Sequence, residues 1–142
     1  MIFGEKICGL DYKIRKGVYA VIFNSGRDKV MAVRNGHGHI FLPGGGIESN
    51  ENHLRCLERE MLEETGYKVL VESYIGNANR YFKSRADEPL LSDAHFYSVS
   101  LSNKIHEATE LDYSLEWINV NEAKNYFQHE HHFWAVKEAL NK

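Results

Sequence analysis

The breaker Pro43-Gly44-Gly45-Gly46, followed by helical periodicity that stops at Gly66, constrains this chain more than any other stretch. Proline lacks an amide hydrogen and glycine accepts backbone angles other residues resist, so the chain must turn before anything regular begins. A helix is then predicted from about Asn50, with Asn50 as N-cap and Glu51 in the first turn, where negative charge meets the positive end of the dipole. Leu54, Leu57 and Met61 recur at helical spacing as a packing stripe, and Gly66 after Thr65 supplies a left-handed stop.

On that helix Glu60, Glu63 and Glu64 fall at i, i+3 and i+4, so their carboxylates share one face near the C-terminal end. The face lies about a quarter-turn from the apolar stripe, at roughly 100° per residue, and is expected to be half covered. An acidic run on a helix is usually just a solvated face. Here the position argues otherwise: negative charge in the last turns opposes the dipole by about 0.3–1 kcal/mol per group, and Glu60 with Glu64 is a like-charge pair. Arg59 pairs with Glu63 at i, i+4 in the weaker orientation, and one arginine does not neutralise three carboxylates. A hard divalent cation would, because Mg²⁺ and Mn²⁺ prefer oxygen ligands.

Gly45, Glu51, Arg59, Glu60, Met61, Glu63, Glu64, Gly66 and Tyr67 together read G-x5-E-x7-R-E-M-x-E-E-x-G-Y. This segment resembles the box of the Nudix hydrolases. The resemblance implies an α/β fold, a Nudix-type α/β/α sandwich with a mixed β-sheet, and hydrolysis of a nucleoside diphosphate linked to a further group X. It implies Mg²⁺ or Mn²⁺ as cofactor, with Glu60 and Glu64 as main metal ligands and the Gly44 carbonyl as a backbone ligand. Glu63 becomes a further ligand or the group that takes a proton from water, and Arg59 holds the glutamates in place. Glu48 and Glu51 are weaker candidates, Glu48 behind the ligands and Glu51 at the helix start. An acidic residue outside the box is also implied shortly before the strand carrying Trp117: Glu110 is the first choice, with Asp112 and Glu107 behind it. Tyr67, where an aliphatic residue is common, and Asn50, where glycine is common, depart from the pattern conservatively.

A chain of 142 residues, 43% hydrophobic and 26% charged, fits one globular domain spanning 1–142 with a core of its own. No apolar run approaches the roughly 20 residues of a membrane helix, and the N-terminus lacks a signal-peptide pattern, so a cytoplasmic protein is expected. A net charge of −3 disfavours nucleic-acid polymers as partners and favours a small nucleotide-like substrate; a homodimer is compatible with the sequence. Cys8 and Cys56 lack metal spacing and read as reduced packing thiols.

Elsewhere, Val18 to Phe23 reads as a buried strand with Lys29 to Val33 as its hairpin partner, and His39 to Leu42 leads into the glycines. Tyr67 to Tyr74 and Ala78 to Phe82 form a strand with a bulge or break near Gly76 and Asn77, followed by strands at Ala94 to Leu101 and Leu115 to Val120. Asn119 or Asn121 caps a short helix through Phe127. A last helix runs from Glu130 to Leu140, with Phe133, Val136, Ala139 and Leu140 on its apolar face.

His129, His131 and His132 read as a surface tract rather than zinc ligands. His37 and His39 read as a polar loop, and Tyr74, Tyr81 and Phe82 as core aromatics. No spacing singles out Arg34, Arg80 or Arg85 for phosphate. The commonest expectation for so small a chain is a nucleoside triphosphate or oxidised purine nucleotide as substrate. Nucleotide sugars and dinucleoside polyphosphates remain enzymatic alternatives, and a non-catalytic nucleotide-binding regulator is the alternative from another class.

Overall fold

Alternating burial along the extended segments decides the architecture. The computed structural model describes residues 1–109 and 112–142. In chain order its elements are β1 (Ile2–Phe3), β2 (Lys13–Val21), β3 (Lys29–Arg34), β4 (Ile40–Phe41), β5 (Gly44–Gly46), α1 (His53–Thr65), β6 (Tyr67–Lys83), β7 (Pro89–Lys104), β8 (Ser114–Asn119), α2 (Ala123–Tyr126) and α3 (Glu130–Leu140). A five-stranded sheet has the order β1-β6-β7-β2-β5, and a three-stranded sheet the order β4-β3-β8. The larger sheet is mixed: β2 runs parallel to β7 and β1 to β6, while β5 and β7 run antiparallel to β2 and β6.

Because side chains alternate across a strand, Val18, Ala20, Ile22 and Val99 face one helix and pack with Cys56, Leu57 and Met61 of α1. Val21, Ala94 and Phe96 face the other way and pack with Ala135, Val136 and Ala139 of α3. Helices therefore cover both faces, the expected α/β/α layering. Each fully buried Leu or Met in these layers contributes about 1.5–3 kcal/mol through area removed from water. Gly66 ends α1 at φ 77°, and a Cβ there would lie 1.8 Å from the His106 carbonyl oxygen, so the stop also fits the packing.

Several expectations need correction. The β2–β3 hairpin is only begun, by the Phe23–Val30 bridge; β3 then joins the second sheet and pairs along its length with β8. Sheet twist lets a strand leave its sequence neighbour when another strand covers it better. Positions 67–83 form one strand, and of the bulge or break expected near Gly76 and Asn77 it is the bulge that occurs, as a register shift between Tyr74 and Gly76. Leu54 is 47% exposed, so the packed stripe of α1 is Cys56, Leu57 and Met61. Cys8 is exposed and only Cys56 packs. Tyr74 is also exposed, with its hydroxyl on His95.

The helix cap before α2 is Glu122, not Asn119 or Asn121, and makes no side-chain cap bond. The buried face of α3 is His131, His132, Ala135, Val136 and Ala139, with Phe133 and Leu140 only partly covered. The histidine tract is therefore not on the surface: His131 and His132 are both fully buried. None of the described helices is long and apolar enough to cross a membrane.

Candidate active site

Local structure before α1 sets the site's charge pattern. Asn50 adopts a left-handed φ of 69°, and the N-cap is Asn52, whose side chain accepts the Arg55 amide at 2.8 Å. The helix thus begins later than expected and its first turn holds no acidic residue. Freed from the helix, Glu51 lies against Arg59, with Oε2 2.6 Å from Nε and Oε1 3.0 Å from Nη2. This bidentate, charge-assisted pair holds the Glu51 carboxyl down at about 2, with the Glu48 amide as the next cause.

Arg59 is the hub of the cluster. Its Nη1 donates to Glu60 Oε1 at 3.0 Å and to Glu63 Oε2 at 3.3 Å, and its Nη2 donates to the Gly46 carbonyl at 3.0 Å. Glu48 is more remote, 3.6 Å from Nη1 and largely exposed. Hydrogen bonding to Glu51, followed by the charge of Glu60, raises the arginine's pKa further above its ordinary value, so it remains a fixed cation.

The three glutamates differ in depth. The Glu63 side chain is 35% exposed, that of Glu60 15%, and Glu64 is 5% exposed overall. Glu64 Oε1 accepts the Gly44 amide at 2.8 Å, which ties the end of α1 to β5. A Cβ on Gly45 would lie 2.6 Å from Glu60 Oε1, so a larger residue here would push the end of that carboxylate aside. Tyr19 lies beside them, and burial, reinforced by the charges of Glu64 and Glu60, pushes its phenol well up so that it keeps its proton.

Where the two sheets part, a cleft of ≈ 330 Å³ opens onto Gly44, Gly45 and Glu64. Its walls include Arg15, Tyr19, Asn35, Phe41, Tyr113 and His129. The sequence assigned none of these to substrate: Arg15 precedes the expected strand, Tyr19 looks like ordinary core, and His129 belongs to the tract read as surface. Alternation along β2 is the one signal that places Arg15 and Tyr19 on a common side.

The remaining candidates separate cleanly. Glu110 lies outside the described residues. The Thr109 amide donates to the Glu63 carbonyl at 2.9 Å, so the preceding segment runs against the end of α1. Glu107 is exposed and paired with Lys104 at 2.8 Å. Asp112 borders a neighbouring hollow with Asn35, His37 and Tyr113. Arg34 is bound to Glu116, Arg85 to His37, and Arg80 to His129 and the Gln128 carbonyl.

Oxygen donors from Glu60, Glu63, Glu64 and the Gly44 backbone suit a hard divalent cation. Among the described residues, no three acidic, histidine or cysteine side chains already converge as a finished metal cluster; Glu60 is turned onto Arg59 and Glu64 onto the Gly44 amide. The donor chemistry and the close approach of Gly45 to the Glu60 carboxylate nevertheless fit such an ion.

The chain matches the NUDIX domain over residues 13–138. A NUDIX hydrolase from Nitrosomonas europaea superposes with a TM-score of 0.74 at 18% identity, covering 91% of this chain and 90% of that one. A MutT protein from Methanosarcina mazei gives 0.67 at 18% identity, covering 94% and 98%. An ADP-ribose pyrophosphatase from Streptococcus suis gives 0.65 at 15% identity, covering 90% and 92%. With the box in the sequence, the layering and the domain match in agreement, the chain belongs to the Nudix hydrolase family, pyrophosphohydrolases that act on derivatives of nucleoside diphosphates.

Proposed function

We propose that this chain, acting as one domain over 1–142, hydrolyses the pyrophosphate bond of a nucleoside triphosphate or an oxidised purine nucleotide, with Mg²⁺ or Mn²⁺ as cofactor. The observation that carries this reading is the buried Glu64 carboxylate in a cleft whose walls also include Arg15, Tyr19 and Phe41. At ≈ 330 Å³ the cleft is at the small end of the roughly 300–1,000 Å³ common for ligand pockets. Structural neighbours include a UDP-X diphosphatase and an Ap4A hydrolase, so the fold does not choose among substrates and the cleft must.

Glu60, Glu63, Glu64 and the Gly44 carbonyl would hold the ion. When bound, it would supply Lewis acidity and screen the phosphate charge. Arg59 keeps Glu60 and Glu63 oriented, and Glu63, the most exposed of the three, would accept a proton from water. Phe41 and Tyr19, which line the cleft, would contact a base, and Arg15 would meet phosphate.

The test is a screen of purified protein with Mg²⁺ or Mn²⁺ against nucleoside triphosphates, oxidised purine nucleotides, nucleotide sugars and dinucleoside polyphosphates, following nucleoside monophosphate release. Metal-dependent release from a triphosphate supports the proposal. Turnover of only nucleotide sugars or dinucleotides overturns the substrate assignment, and tight binding without hydrolysis of any of them favours a regulator.

A further inference from the structure

Residues 42, 43 and 44 are each tied to a different element. The Leu42 amide donates to His132 Nδ1 of α3 at 3.1 Å, the Pro43 carbonyl accepts the Ala20 amide of β2 at 2.8 Å, and the Gly44 amide donates to Glu64 of α1 at 2.8 Å. Leu42 is fully buried and lies between β4 and β5, outside both strands. Its amide needs a partner, because a buried unpaired N–H is strongly disfavoured. His132, itself fully buried, supplies it.

A core filler would not need this ring. Accepting at Nδ1 places the ring proton on Nε2, and that buried nitrogen has no hydrogen-bond partner among the described residues. Leu or Phe would fill the space without an unpaired Nε2–H but would leave the buried Leu42 N–H without its acceptor. The imidazole is also fixed in orientation by Tyr19 at 4.5 Å, Phe96 at 5.7 Å and Phe127 at 6.2 Å between ring centroids. Burial holds its pKa well below the ordinary value, so Nδ1 remains an acceptor through the neutral range.

We propose that His132 is a positioning residue: by holding the Leu42 amide, it fixes the turn that presents the Gly44 amide to Glu64 and the Gly44 backbone to the cleft. Its functional consequence rests on the reading of this turn as part of the hydrolytic site. Groups that orient ligands from behind typically change metal affinity or activity by roughly 10–100-fold when removed.

The test compares His132→Leu, His132→Asn and His132→Gln with the parent protein. Asparagine can place its Oδ1 near the position of Nδ1, whereas glutamine carries its acceptor one methylene farther out and leucine has none. Leu42 and Gly44 amide hydrogen exchange, Mn²⁺ affinity by calorimetry, and kcat with KM for the best substrate are measured at neutral pH.

The expected result is faster exchange at both amides, Mn²⁺ affinity weaker by about 10-fold or more, and a fall in kcat exceeding any change in KM for His132→Leu and His132→Gln. His132→Asn should restore most of each. If His132→Leu fails to fold, the contrast between Asn and Gln still tests the acceptor's position. Unchanged Gly44 exchange in His132→Gln, or equal behaviour of Asn and Gln, would overturn the proposal. Absence of Mn²⁺ binding and turnover in the parent, with exchange at Leu42 and Gly44 still following the acceptor's position, would overturn the hydrolase reading while the structural role of His132 stands.

Discussion

Helices α1 and α3 cover opposite faces of one sheet and reach the same turn, at residues 42–44, with opposite electrostatics. From α1 come the Glu64 carboxyl on Gly44 and, behind it, an arginine shared by Glu51, Glu60 and Glu63. From α3 come imidazoles that burial keeps neutral, one of them on Leu42. The difference teaches how one turn can be held between an ion-paired region and a desolvated one. The Arg59 countercharge keeps Glu51 ionised on one side, and desolvation keeps the imidazoles neutral on the other.

The charged side is broken most severely at the glutamates. Glu63→Gln should lower nucleoside monophosphate release by roughly 10²- to 10⁴-fold, the usual scale for a general base, and Glu64→Gln should fall comparably while its amide oxygen still accepts the Gly44 N–H. Near-parental kcat in both, from a steady-state assay, would remove them from the chemistry. Gly45→Ala comes next, because its Cβ must displace the Glu60 carboxylate. A loss of about 10–100-fold in activity is expected, with a far smaller change in melting temperature.

Removing the countercharge sharpens the same contrast. Arg59→Met leaves Glu51, Glu60 and Glu63 without their shared donor and should cost about 2–3 kcal/mol in denaturant unfolding. A midpoint unchanged from the parent would mean that solvent or added cation compensates the carboxylates.

Acid should affect the two sides at different pH. His129 is held at about 4 and His131 at about 3, both chiefly by burial, and His132 is also depressed. The unfolded chain therefore binds protons near 6.5 that the folded chain refuses. Stability is complete above that pH and falls below it by about 1.4 kcal/mol per pH unit for each imidazole kept neutral, until the folded values are reached. Glu51 acts later, since its contribution is lost only as pH falls from about 4.5 toward 2. Melting temperatures from pH 7 to 4 should drop before the Glu51 pair is touched, and His131→Gln should flatten that drop.

The smallest effect concerns the thiols. Burial raises Cys56 to about 11 while Cys8 is exposed, so iodoacetamide should label Cys8 alone in the folded protein, with little change in activity. Labelling of Cys56 at a similar rate would show that the start of α1 opens.

Much of the charged side is legible in sequence because its parts are local. Glu60, Glu63 and Glu64 share a face wherever the helix is placed, and Gly66 ends it by its backbone preference alone. The start of the helix is less legible because Asn50 and Asn52 are equally good caps in isolation; the choice of Asn52 accompanies the Glu51–Arg59 pair. On the histidine side, a polar tract at a helix start has the same local signature whether it meets solvent or the sheet. Only packing buried it.

The sequence by itself determined the helical placement of the three glutamates and the turn before them, since short-range periodicity and backbone stereochemistry suffice for each; the family was legible as a resemblance of the box to a known motif. The tertiary structure alone decided that Arg15, Tyr19, Phe41 and His129 wall one cleft and that His132 meets Leu42 across a separation of 90 residues. Such contacts depend on which strands pair and which faces are buried, and those are settled by the whole chain's competition to exclude water rather than by any segment.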